Sequence, residues 1–151
     1  MKRYLLTILI LTSLCYSRKV VVKMGTLAPE GTDWHGMLIE MGQKWKEATK
    51  GKVQLRVYPG GVLGDERDMV RKMRIGQIHA AAMTTEGLSE IVPDFSCYFV
   101  PLVYQNSSDV KRVTDALLPD LEKKLEKSGF KLLYISAVSY THLTLPTINW
   151  V

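Results

Sequence analysis

The sequence predicts an α/β fold with a parallel sheet. Three short stretches rich in β-branched or small apolar residues, at 20–25, 53–58 and 78–83, are separated by two helical patterns. Strand–helix–strand–helix–strand order implies right-handed crossovers, and these leave the strands parallel. The length, 151 residues, suffices for one domain but not for two large lobes.

The N-terminus reads as an export signal. Lys2 and Arg3 form a short positive region, residues 4–14 an apolar run, and Ser13 and Ser17 supply small residues after it. The run is short for a bilayer span. Cleavage is expected between Ser17 and Arg18. A competing reading makes Cys15 a lipidated cysteine, but Thr12-Ser13-Leu14 matches poorly the small-residue pattern such processing prefers. The mature chain then keeps Cys97 alone, so no internal disulfide forms. Its apolar neighbours Phe95, Tyr98 and Phe99 mark a structural thiol rather than a nucleophile.

The first mature strand is 20–25. Thr32 can cap the helix that follows, with Asp33 in its first turn. Trp34, Met37, Leu38, Met41 and Trp45 recur at helical spacing and read as its core face; Gly51 ends it. The second strand, 53–58, alternates Val53, Leu55 and Val57 with Gln54, Arg56 and Tyr58. Pro59-Gly60-Gly61 must break any regular element. Asp65 caps the second helix, expected over 65–75, with Glu66 and Asp68 where the helix dipole favours negative charge. That helix should bury Met69, Val70 and Met73. The third strand, 78–83, carries Ala80-Ala81-Ala82, whose small side chains suit close cover on both faces. Beyond it a helical turn near 88–91, a helix over 109–117, a separate helix opened by Pro119, and a fourth strand over 130–136 are expected. The three parallel strands should bring the loops 26–31, 59–63 and 84–87 to one sheet edge, where ligands bind in open parallel sheets.

Residues 138–147 read VSYTHLTLPT. They resemble the translation of a transposase-based sequencing adaptor. The stretch 138–151 is therefore expected to be an artefactual tail, excluded from fold reasoning. The expected organisation is a signal peptide at 1–17, an incomplete N-terminal lobe at 18–137, and that tail.

Several chemistries are absent from the sequence. The Pro59-Gly60-Gly61 loop lacks the spacing of a phosphate-binding loop. With His142 set aside in the tail, His35 and His79 have no second ligand at metal spacing, and each reads as structural. No nucleophile elbow or Cys/His pairing occurs. Asp65, Glu66 and Asp68 read as cap and dipole residues, not as a catalytic carboxylate pair. Net charge is +5, and the basic residues are scattered among acids without an aromatic-interleaved stripe; nucleic acid is not an expected partner.

An exported α/β chain without catalytic residues points to a binding protein. Gly51-Lys52-Val53, Tyr58-Pro59, Leu63-Gly64-Asp65, Met69, Gly76 and Pro101, in this order and spacing, resemble the periplasmic substrate-binding proteins of tripartite ATP-independent periplasmic (TRAP) transporters, the DctP family. The resemblance covers residues 20 to about 136. It implies a periplasmic-binding-protein-like fold with two lobes, of which this chain holds the first and the second is missing. It implies no cofactor, no metal and no enzymatic activity. The implied function is capture of a small organic acid and its delivery to the membrane permease subunits of a sodium-driven transporter. A family arginine that pairs with the ligand carboxylate lies in the second lobe, beyond Ala137. The resemblance places Thr26, Leu27, Trp34 and Thr84 at the first-lobe pocket, with Thr85 and Glu86 beside them. Relatives that bind sialic acid look to have Asn at the Thr26 position and Glu at the Thr84 position. Short hydroxyls here imply a smaller or more apolar acid than a sugar acid. The other readings are a ligand-sensing module of a signalling receptor, which needs a downstream membrane helix, and a small α/β enzyme, which needs a nucleophile or cofactor loop at the same edge.

Overall fold

The computed structural model describes residues 19–101 and 103–136. The expected signal at 1–17, with Cys15, and the tail at 138–151 lie outside the described residues. The chain divides after Thr84 into two compact units.

The first unit runs β1 (Val20–Thr26), α1 (Asp33–Ala48), β2 (Val53–Tyr58), α2 (Glu66–Arg74), β3 (Ala80–Ala82). Its sheet has the order β2-β1-β3, and both pairings are parallel. The register sets Gly25 beside Tyr58 on one side and Ala81 on the other, so the three strands end nearly level. β3 is shorter than expected, but the pairing begins before it: His79 N–H donates to the Lys23 carbonyl at 2.9 Å.

Local chemistry sets the helix starts. The Thr32 hydroxyl accepts from His35 N–H at 3.4 Å, and the Asp65 carboxylate accepts from Asp68 N–H at 2.8 Å. Both helices then bury an apolar face on the sheet. Met24, Leu38, Met69, Val70 and Ile78 form the first unit's buried set. A Cβ on Gly25 would stand 3.0 Å from the Met69 sulfur, so α2 lies directly on β1.

The expected stripe on α1 is corrected at Met37, which is 48% exposed. Trp34, Leu38, Met41 and Trp45 cluster on one side of the helix wheel, and Met37 lies about 70° round from their mean. The reason is Gly42. A Cβ there would stand 3.1 Å from Leu55, so α1 meets β2 on the Gly42 side, far from Met37.

The second unit runs α3 (Thr85–Ser89), a 3₁₀ helix (Pro93–Phe99) and α4 (Ser107–Lys127). Val92, Phe95, Leu121 and Leu125 form its buried core, with Leu88, Ile91, Tyr98, Phe130 and Leu132 packed around them. Phe95 and Tyr98 stack with ring centres 6.2 Å apart. The Asn106 side chain caps α4 by accepting from Asp109 N–H at 3.1 Å.

Two expectations fail in this unit. The two helices expected around Pro119 are one, and Pro119 sits inside α4. A proline in a helix interior costs about 3 kcal/mol. Burial of Leu121 and Leu125 just beyond it favours continuing the helix, at roughly 1.5–3 kcal/mol for each side chain. The fourth strand expected over 130–136 is absent, since the sheet contains β1, β2 and β3 only. Phe130 and Leu132 pack on the core, but an alternating stretch becomes a strand only when a neighbour takes its backbone groups.

Candidate functional site

The C-terminal ends of the three parallel strands give the first unit one loop-bearing edge. Two of its loops are tied together beyond the strands. Gly60 N–H donates to the Ala28 carbonyl at 2.8 Å, and Gly61 N–H donates to the Thr26 carbonyl at 3.1 Å. Gly60 and Gly61 reach these positions with φ of +62° and +70°, which L side chains rarely adopt. The turn after β2 thus extends the parallel pairing with the chain leaving β1.

Thr26 is 3% exposed. Its hydroxyl accepts from Ala28 N–H at 3.2 Å, a local turn that shapes the loop. Leu27 is 43% exposed, and its Cδ2 would lie 3.3 Å from a Cβ on Gly61. This side chain offers an apolar surface at the edge while seated on the neighbouring turn. Trp34 stands in the first turn of α1 and is half-buried, so it is neither wholly core nor fully open.

Thr84, exposed and two residues beyond β3, is held by Glu66 in the first turn of α2. Glu66 Oε1 accepts from Thr84 N–H at 2.6 Å, and Glu66 Oε2 accepts from the Thr84 hydroxyl at 2.6 Å. Short contacts of this kind are typical of hydrogen bonds to a charged acceptor. A hydroxyl has one proton. Thr84 gives its proton to Glu66, so it does not donate to a ligand carboxylate in this arrangement. Glu66 is the residue that the sequence reading missed at this edge. Its place beside Asp65 and Asp68 is explained by the helix dipole alone, and nothing local points 18 residues ahead.

Within the first unit the structure therefore brings Thr26 and Leu27 together with the turn after β2, and joins Thr84 to Glu66. Thr85 and Glu86 open the second unit, both in the first turn of α3, with Thr85 half-buried and Glu86 exposed.

The remaining titratable groups have structural work. The Nδ1 atom of His35 accepts from Gly31 N–H at 3.3 Å, and that of His79 accepts from Lys23 N–H at 3.0 Å. Lys72 donates to the Leu63 carbonyl and so fastens the loop before α2. Cys97 is a free thiol that burial, followed by the charge of Asp94, pushes above its ordinary pKa. That removes thiolate character at neutral pH. Among the described residues no group of three or more His, Cys, Asp and Glu side chains could hold a metal ion.

The second unit carries an open groove of about 490 Å³ along α4, lined by Val103, Tyr104, Val113, Ala116 and Leu117 with Asp109 and Arg112. Asp109 and Arg112 are paired with each other, so the groove presents no uncompensated cation to an acid. None of the six expected site residues lines it.

Comparison with known proteins matches residues 24–145 to the family described as bacterial extracellular solute-binding protein, family 7 (DctP). A solute-binding protein of Roseobacter denitrificans is 24% identical over 135 residues, covering 88% of this chain and 41% of that protein. A TRAP periplasmic solute-binding protein of Haemophilus influenzae, solved with bound L-gulonate, superimposes with a TM-score of 0.67 at 27% identity. That superposition covers 77% of this chain and 38% of the other. A Citrobacter koseri TRAP periplasmic solute-binding protein, solved with D-glucuronate, gives a TM-score of 0.62 at 30% identity, covering 72% of this chain and 37% of the other. The chain thus spans about two fifths of the length of the relatives it matches.

Proposed function

This chain belongs to the DctP family, bacterial extracellular solute-binding protein family 7, and we propose that it captures a hydroxylated organic acid in the periplasm for a TRAP permease. It does so as the first part of a longer two-lobed protein, exported through the signal at 1–17. Its ligand site lies at the C-terminal edge of the parallel sheet, with Thr26, Leu27, Trp34 and Thr84 on the first unit and Thr85 and Glu86 following. The remainder of the longer protein supplies the arginine that pairs with the ligand carboxylate. The permease subunits take the released acid and move it with sodium.

The observation that carries this reading is the family match over most of the chain, joined to a parallel sheet whose C-terminal edge bears the loops of Thr26, Leu27 and Thr84. Parallel sheets bind ligands at that edge. Leu27 offers an apolar surface there, and the Glu66–Thr84 pair offers hydrogen-bond acceptors. Two of the matched structures hold polyhydroxylated acids, L-gulonate and D-glucuronate. Those ligands favour a hydroxylated acid here over the smaller, more apolar acid implied by the short side chains of Thr26 and Thr84.

Thermal unfolding of the complete protein with succinate, L-gulonate and D-glucuronate tests the reading. A ligand at a hundred times its Kd stabilises the folded state by about 2.7 kcal/mol and raises the midpoint by a few degrees. At least one hydroxy acid is expected to do so. No shift with any acid of the panel, at millimolar concentration, overturns it. Delivery is tested by uptake of the acid that binds into cells carrying the permease, with sodium present and with sodium replaced by potassium.

A further inference from the structure

We propose that the end of the first unit opposite its loop-bearing edge docks on an anionic phospholipid surface, through Lys19, Lys46, Lys50 and Lys52 and the valines between them. The inference goes beyond the ligand reading. It takes from the proposed function only the export that brings the chain to a membrane.

The parallel topology gathers these lysines. The register pairs Val20 with Val53, and Val20 N–H donates to the Lys52 carbonyl at 2.8 Å. Lys19 and Lys52, each one residue ahead of its strand, therefore lie at one level. The crossover helix α1 returns the chain to that level. Gly51 N–H donates to the Lys46 carbonyl at 2.7 Å, and Lys52 N–H donates to the Thr49 carbonyl at 3.1 Å. Lys50 lies in this same turn, with a φ of +51°. All four lysines are exposed. Among the described residues none of the four belongs to an ion pair. Glu47 is the one acid between Gln43 and Arg56.

Cations near a helix C-terminus complement its dipole. That accounts for Lys46, in the last turn of α1, and for Lys50 just past it. It does not account for Lys19 and Lys52, which stand before strands. Nor does it account for the apolar surface among them. Val20 is 55% exposed and Val21 37% exposed. The reason is the register: β3 pairs with β1 only from Met24 onward, so among the described strands the start of β1 has a neighbour on one side only. A small soluble anion gains nothing from exposed valines. A lipid interface uses both features, phosphates for the ammonium groups and the boundary below the headgroups for apolar side chains. The loop-bearing edge lies at the other end of the same strands. Docking at this end leaves that edge turned to solution.

Co-sedimentation of the complete protein, with its signal removed, tests the proposal. One set of vesicles is phosphatidylcholine alone, and the other has an equal amount of phosphatidylglycerol mixed in. A lysine near an anionic surface strengthens binding roughly fivefold. The protein is expected to bind the phosphatidylglycerol vesicles at least tenfold more tightly than phosphatidylcholine. That preference should vanish in about 0.5 M salt, where screening acts over only a few ångströms. Lys46→Glu combined with Lys52→Glu is expected to weaken the binding at least tenfold. The same charge change made on α4, Lys111→Glu with Lys123→Glu, is expected to leave most of it. Where the first pair of reversals disturbs the circular dichroism, Lys46→Gln with Lys52→Gln replaces it and is expected to weaken binding several-fold. Three results each overturn the proposal: equal binding to both vesicles, binding unchanged within twofold by the changes at Lys46 and Lys52, or an equal loss from the changes on α4. The last would mean that net charge, and not this end, attracts the lipid. No organic acid enters the test, so these results leave the ligand reading standing.

Discussion

Gly61 donates its backbone N–H to the carbonyl of Thr26, 3.1 Å away, and so joins the turn after the second strand to the loop after the first. The bond depends on a φ of +70° at Gly61. Leu27 then seats its Cδ2 where a side chain at Gly61 would begin. Gly61→Ala is expected to lower stability by about 1–2 kcal/mol, from left-handed backbone strain and the displaced Leu27. Urea unfolding measures it. An unchanged midpoint would mean that the turn relaxes freely and does not hold the Thr26–Leu27 loop.

Asp65 caps α2 through its bond to Asp68 N–H. Asp65→Ala is expected to cost about 1 kcal/mol, and Asp65→Asn only a few tenths, since the amide oxygen still accepts. If both variants lose the same amount, charge at the helix dipole rather than the cap bond is the source of stability.

Met69 is wholly buried, with its sulfur against Gly25. Met69→Ala is expected to destabilise by about 2–5 kcal/mol, whereas Met69→Leu, near in volume, costs under about 1.5 kcal/mol. Denaturant unfolding with matched m-values checks both. A mild effect of the alanine would place α2 off the sheet.

Asp94 and Lys124 pair at 2.9 Å across the second unit's surface. The hydrogen bond from Lys124 holds the Asp94 carboxyl below the ordinary aspartate value; desolvation opposes it, and the Lys124 charge adds a smaller pull downward. A folded pKa below the unfolded one means that the contribution is present above the unfolded pKa, about 4. It is lost as pH falls through the lower folded value. Asp94→Asn should therefore reduce stability slightly at pH 6 and not at about pH 2. Both side chains are about half exposed, so added salt should shrink the difference. A difference that persists at pH 2 would show that the aspartate acts through something other than its charge.

What the sequence made legible was local. Alternation at Val53, Leu55 and Val57, the caps at Thr32 and Asp65, and the breaker Pro59-Gly60-Gly61 each act within a few residues. From those the parallel sheet and its loop-bearing edge followed by topology. What escaped was set by contacts distant in sequence. Gly42 turns α1 so that Met37 faces solvent, because the backbone can approach Leu55 only there. Pro119 stays within one helix because Leu121 and Leu125 find a core. At the site, Thr26 and Thr84 were legible as edge hydroxyls. Their hydrogen-bond partners were not, and it is Glu66 that fixes what Thr84 can offer.

The central claim is that the loops at this sheet edge line the pocket of an organic-acid-binding protein. Titration calorimetry of the complete protein and of its Leu27→Asp variant, with the acid that binds the parent best, tests it most directly. Leu27 is exposed at the edge, so the substitution need not disturb the core, and it sets a negative charge where the acid is expected to lie. The account predicts at least a tenfold loss of affinity, about 1.4 kcal/mol or more, with the fold intact by circular dichroism. Affinity within about twofold of the parent would contradict it and place the acid elsewhere on the molecule.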